Sequence, residues 1–196
     1  MDELILLRHG ETEWSRDGLH TGRTDIPLTP RGEEQARALA GALEGLAVSL
    51  VLTSPALRAR RTAELAGLAR CEVDTNLWEW DYGGYEGITT RDIRKTRPGW
   101  YLWRDGVVPG DAEHPGETAR QVGERADKVI ARIAQAEGTV VVVSHGHFLR
   151  VLTARWLGLP PQDGRLFKLD TGTVSVMGFE HGEHVVTRWN GPVGTR

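Results

Sequence analysis

Leu4-Ile5-Leu6-Leu7-Arg8-His9-Gly10-Glu11 is a run of four apolar residues that stops abruptly at a guanidinium, an imidazole, a glycine and a carboxylate. A continuous apolar run this short suits a β-strand buried on both faces, with chemistry-bearing residues at its carboxyl end. The same form recurs twice. Leu50-Val51-Leu52 runs into Thr53-Ser54-Pro55, and Val140-Val141-Val142-Val143 runs into Ser144-His145-Gly146-His147.

Between these runs the apolar period changes to that of a helix. Over residues 30–43, Ala36, Leu39, Ala40 and Leu43 fall on one face, with Thr29 as N-cap and Pro30 in the first turn. Ser54-Pro55 repeats that start signal ahead of Ala59, Ala63 and Ala66. Over residues 118–133, Ala119, Val122, Ala126, Val129, Ile130 and Ile133 trace a wider stripe opposite Arg120, Glu124, Asp127 and Lys128. Residues 173–179 then alternate Val174 and Val176 with small or polar residues, and 185–189 follow a turn at His181-Gly182-Glu183, which reads as an antiparallel hairpin. Strands that alternate with helices predict an α/β fold: a three-layer α/β/α sandwich with a mostly parallel sheet and an antiparallel C-terminal edge.

The 196 residues carry 24 Lys and Arg against 27 Asp and Glu, a formal charge of −3, and 39% are hydrophobic. That balance fits one globular domain over 1–196 and excludes a general nucleic-acid binder, which needs a basic excess to displace counterions. The single cysteine, Cys71, rules out an internal disulfide, and the acidic start Met1-Asp2-Glu3 is unlike an export signal. No apolar run approaches the roughly 20 residues that span a bilayer, so the expected location is the cytoplasm, with no membrane partner. Oligomeric state is left open. Residues 78–117 are the least periodic, crowded with glycines and with Trp78, Trp80, Trp100 and Trp103. An irregular excursion of this length in a compact chain points to a substrate loop, its tryptophans acting as anchors.

In open α/β sheets, ligands bind outside the carboxyl ends of the strands. If the three apolar runs are parallel neighbours, Arg8, His9, Arg58 and His145 converge there. A neutral imidazole nitrogen can attack phosphorus, while guanidiniums bind phosphoryl oxygens in pairs and stabilise the charge in transfer. The neighbouring cations favour the neutral ring. Glycine after each histidine permits a tight turn and brings backbone amides towards the anion.

Leu7-Arg8-His9-Gly10-Glu11-Thr12, Ser54-Pro55-Ala56-Leu57-Arg58-Ala59 through Thr62-Ala63, Leu77-Trp78-Glu79 and Ser144-His145-Gly146, in this order, resemble the histidine phosphatase (phosphoglycerate-mutase-like) superfamily. The resemblance spans nearly the whole chain. It implies that His9 becomes the phosphohistidine, that Arg8, Arg58 and His145 surround the phosphoryl group, and that Glu79 is the proton donor. Thr21-Gly22-Arg23-Thr24-Asp25, the 79–87 stretch and Trp103-Arg104-Asp105-Gly106 are more similar to phosphatases of small metabolites, including sugar bisphosphatases, than to mutases. Mutases usually carry asparagine where Ser15 stands and a basic residue where Trp80 stands. Ser15 and Gly146 are implied to touch phosphate, and Thr21 with Gly22 to line the mouth.

The expected reaction is hydrolysis of a small phosphorylated metabolite, releasing inorganic phosphate, with no cofactor and no metal. A phosphoglycerate mutase and a non-catalytic phosphate-binding module are the alternatives. Asp81 and Glu86 rival Glu79 as the acid, and Arg91, Arg94, Lys95, Arg97 and Arg104 offer either a second phosphate subsite or a solvated face. His147 reads as a supporting group rather than a metal ligand. His20 and His114 are candidates for the mouth, while His181 and His184 read as surface residues. Neither Cys71 nor Ser144 sits in a nucleophile-elbow or phosphate-loop pattern.

Overall fold

The computed structural model describes residues 1–192; the last four residues of the expected 1–196 domain lie outside the described residues. β1 (Glu3–Arg8), β2 (Val48–Thr53), β3 (Glu72–Val73), β4 (Thr139–Ser144), β5 (Val174–Glu180) and β6 (Glu183–Gly191) form one sheet in the order β3-β2-β4-β1-β5-β6. The first four are parallel, and β5 and β6 close the sheet antiparallel. The three apolar runs are therefore adjacent. Leu7 lies beside Val143, Arg8 beside Ser144, and Thr53 beside Val143 on the other side of β4.

Side chains alternate across the sheet and build two cores. Leu4, Leu6, Val140 and Val142 pack under α7 (Ala119–Ile133) and α8 (Gly146–Trp156). Ile5, Leu7, Val141 and Val143 pack under Leu39, Ala59 and Ala63 on the other face. These last residues belong to the helical stretch holding α2 (Pro30–Ala38) and α3 (Ala40–Leu43), and to α4 (Leu57–Leu65). The chain thus leaves β1 towards one face and leaves β4 towards the other, which opens a crevice between their carboxyl ends.

Three expectations need correction. The helix over 30–43 is interrupted at Leu39, whose N–H is shared between the Gln35 and Ala36 carbonyls. Ser54 does not cap α4; the chain stays extended through Ala56, and Ser54 Oγ accepts the Ala56 N–H within the turn. β2 is buried only towards its end, because β3, its outer neighbour, pairs with it at Leu52 and Thr53 alone. α7 begins as read, with Thr118 and Gln121 in a reciprocal capping box.

The excursion after Leu77 holds the short helices α5 (Thr90–Thr96) and α6 (Leu102–Asp105), and Trp80, Trp100 and Trp103 anchor it in the α7–α8 core. α1 (Glu13–Asp17) forms a single turn after β1. No helix among the described residues is long and apolar enough to cross a membrane.

Candidate active site

The end of β1 places His9 beside β4, its N–H donating to the Ser144 carbonyl at 3.0 Å. The His9 and His145 rings stand 5.1 Å apart between centroids, edge to face. α4 delivers Arg58 beneath them. Its Nε–H donates to His145 Nδ1 at 3.2 Å, and its two terminal nitrogens donate to the carbonyls of Thr24, Gly22 and Thr21 at 3.0, 2.9 and 3.2 Å. Thr62, one turn along α4, ties the helix to β1: its hydroxyl donates to the Arg58 carbonyl and accepts the Gly10 N–H.

These bonds fix both tautomers. A carbonyl can only accept, so the 2.7 Å contact of His9 Nδ1 with Gly10 O puts the proton on Nδ1 and leaves the Nε2 lone pair bare. Arg58 can only donate, so His145 Nδ1 is unprotonated and its Nε2–H donates to Ser54 Oγ at 2.7 Å. Burial, then Arg58 and Arg8, hold His9 well below the usual histidine range; burial, then Arg58, does the same for His145. Both rings are neutral, the state required of an imidazole nucleophile.

A cavity of about 220 Å³ opens above His9, lined also by Arg8, Ser15, Thr21, Glu79, Tyr82, Gly146, His147 and Arg150. Arg8 NH1 donates to Leu169 O, whereas Arg8 Nε is buried with no partner at all. A buried N–H without an acceptor is costly and fits a site that receives an anion. Opposite, Glu79 rests on the start of α8: Oε1 accepts the Trp80 and Phe148 N–H groups, and Oε2 accepts that of His147. Oε1 is saturated and Oε2 keeps a lone pair free to carry a proton. Arg125 of α7 clamps the segment that bears it, donating to the carbonyls of Asn76, Trp78 and Glu79 while paired with Glu117.

The rival acids are committed elsewhere. Asp81 is sealed among Arg23 Nε and the N–H groups of Gly83 and Gly116, and Glu86 accepts from Gly22 N and Thr24 N. Only Glu79 of the three lines the cavity. Arg8 and His9 face it directly, while Arg58 and His145 lie under them with 0% exposure.

Other expectations are corrected. Gly22 faces Glu86 and Arg58 rather than the mouth, and the Gly10 amide is taken by Thr62, so neither N–H is free for phosphate. Ser15 lines the cavity but its hydroxyl is engaged with Thr12, closing the first turn of α1. The basic group of the excursion builds no subsite. Arg94 donates to Trp100 O, Arg97 to Tyr85 and Arg104 to Gly99 O, Lys95 pairs with Asp92, and Arg91 is exposed.

His20 lies at the cavity as expected, and His114 pairs with Asp111 away from it. Tyr82, Arg150 and Ser54, whose hydroxyl accepts the His145 Nε2–H, were not among the expected site residues. Arg150 stands three residues after His147 on one face of α8, a helix that the sequence pattern did not mark.

The model of the histidine phosphatase superfamily (branch 1) matches residues 4–192. An acid phosphatase of Mycobacterium tuberculosis is 45% identical over 184 residues, which cover 91% of this chain and 87% of that protein. A sedoheptulose 1,7-bisphosphatase of Saccharomyces cerevisiae is 40% identical over 192 residues, 81% of this chain and 68% of that one. The solved structure of an open-reading-frame product from Mycobacterium tuberculosis superposes with a TM-score of 0.90 at 40% identity, covering 97% of this chain and 98% of the other.

Proposed function

The chain belongs to the histidine phosphatase superfamily, and from that premise we propose how this phosphoric monoester hydrolase works on small phosphorylated metabolites. The observation that carries the reading is the bare Nε2 of a neutral His9 in a cavity lined also by Arg8 and by Glu79. His9 Nε2 attacks phosphorus as the ester P–O bond breaks. Arg8 holds phosphoryl oxygens at the cavity wall, Arg58 and His145 support His9 from beneath, and Glu79 Oε2–H gives its proton to the leaving oxygen. Water then attacks phosphohistidine, yielding its proton to the Glu79 carboxylate. The N–P bond breaks, inorganic phosphate departs, and both groups are restored.

The cavity volume supports a small substrate, below the usual range for drug-sized ligands. Arg150 supports one whose far end carries negative charge or hydrogen-bond acceptors, as a sugar phosphate does. The same reading takes 1–196 as a single domain with 78–117 as its substrate loop, acting in the cytoplasm, where the single Cys71 suits a reducing milieu.

Rapid quenching into alkali with labelled sugar phosphate tests the covalent step, because phosphohistidine survives base. The wild type is expected to retain label and His9→Ala to retain none. Turnover by His9→Ala at the wild-type rate would falsify the assignment.

A further inference from the structure

We infer that the Tyr82–His147 pair is a substrate-reading device that presents a neutral N–H to an acceptor oxygen on the leaving group. The inference deepens the phosphatase reading and rests on it. Tyr82 Oη and His147 Nδ1 lie 2.6 Å apart, and their rings meet at 76°. Phenol is much the stronger acid of the two and imidazole much the stronger base, so the Tyr82 O–H donates and the ring proton sits on Nε2. That nitrogen makes no protein hydrogen bond and is not sealed off, and both residues line the cavity that holds His9.

The ring is held in place from several sides. Trp80 and Trp103 pack against it edge to face at 6.4 and 5.3 Å, and its own backbone N–H donates to Glu79 Oε2. The device is therefore anchored to the oxygen that we assign as proton donor, on the leaving-group side of the reaction. Burial first, then the neighbouring Arg150 guanidinium, keep the ring neutral. It acts as an N–H donor of fixed direction rather than as a cation.

The chemistry that recognises such a donor is a hydroxyl or carbonyl oxygen near the ester, as in a phosphorylated polyol or sugar. A phenyl ester offers none. Neither residue takes part in the transfer of phosphorus, so the pair affects which ester is held rather than whether phosphorus can be attacked.

Steady-state kinetics with a hexose phosphate and with phenyl phosphate test this, in the wild type, His147→Leu and Tyr82→Phe. Losing one neutral hydrogen bond is worth up to about tenfold. His147→Leu, which removes the donor, should raise KM for the hexose phosphate about fivefold to tenfold with kcat within twofold and leave kcat/KM for phenyl phosphate within twofold, while Tyr82→Phe, which frees the tautomer and keeps the ring, should raise the hexose phosphate KM about twofold. ¹⁵N NMR of the imidazoles should show His147 as the Nε2–H tautomer in the wild type and as a tautomer mixture in Tyr82→Phe.

His147→Gln, which keeps an N–H donor at a similar place, should hold the hexose phosphate KM near the wild-type value, and His147→Leu should not. Wild-type turnover of phenyl phosphate establishes the phosphatase reading independently. On that background, an unchanged hexose phosphate KM in His147→Leu, an equal loss on both esters, or an Nδ1–H tautomer in the wild type would overturn the inference.

Discussion

Arg58 donates through Nε to Nδ1 of His145 while its other two nitrogens hold the carbonyls of Thr21, Gly22 and Thr24. One side chain with no solvent exposure thus sets a histidine tautomer and ties down the loop that borders the cavity. Planarity makes this possible, since the fork of the guanidinium reaches four acceptors in fixed directions.

Lysine keeps the charge and loses that fork. Arg58→Lys should reduce kcat/KM by about a hundredfold and lower stability by about 2–4 kcal/mol, because buried carbonyls and His145 Nδ1 are left without donors. Kinetics and urea denaturation on the same preparation check both. A variant with full activity would show that the charge alone suffices.

The neutral histidines make stability depend on pH. Burial is the first cause in each case, followed by neighbouring cations, and it holds His9, His145 and His147 well below the usual range in the folded state. In the unfolded chain each ring regains its ordinary value near 6.5 and binds a proton that the folded form refuses. Unfolding therefore takes up protons below that pH, and stability is complete above it and falls on acidification. Each ring contributes up to about 1.4 kcal/mol per pH unit. Urea midpoints at pH 7.5, 6.5 and 5.5 should decline through the last interval, well before the carboxylates titrate; a constant or rising midpoint would contradict the neutral assignments.

Arg150 stands at the cavity with Nε donating to Gly164 O and NH2 donating to Arg165 O, and it lies over the Trp103 ring at 4.7 Å. Arg150→Ala should raise KM for a sugar bisphosphate tenfold or more, and for phenyl phosphate less than threefold, since a charge-assisted hydrogen bond is worth about 1.5–3 kcal/mol. Equal effects on both substrates would assign Arg150 to packing against Trp103 instead.

What could be read from the sequence follows from how local each signal is. The runs at Leu4, Leu50 and Val140 identified the parallel strands, because strands buried on both faces show as unbroken apolar runs, and their polar ends marked Arg8, His9 and His145. α8 was hidden for a related reason. Phe148, Leu149, Val151, Leu152, Ala154 and Trp156 are all buried, so little amphipathic period remains, and no side chain caps its start.

Without that helix, the shared face of His147 and Arg150 could not be seen, nor could the N-terminal amides that cradle Glu79. Ser54 shows the opposite failure. Its cap-like context with Pro55 is genuine local chemistry, but a contact 91 residues away, with His145, claims the hydroxyl. Long-range partners of this kind leave no periodic trace.

The glycines after the two histidines separate stability from catalysis. A Cβ at Gly10 would lie 2.1 Å from the carbonyl oxygen of Gly32, backbone against backbone with nothing flexible to yield. Gly10→Ala should cost more than about 3 kcal/mol or prevent folding, in the range of severe core overpacking. At Gly146 the nearest atoms to the same Cβ are those of the Arg8 guanidinium, at 3.1–3.3 Å, the far end of a long side chain. Gly146→Ala should fold with a change below about 1.5 kcal/mol, because Arg8 can shift by a few tenths of an ångström. That shift displaces the group aimed at the phosphoryl oxygens, so kcat should drop about tenfold or more despite the intact fold. Thermal melts paired with kcat for the two variants decide the matter: if Gly146→Ala is as active as the wild type, Arg8 does not need its present position for catalysis.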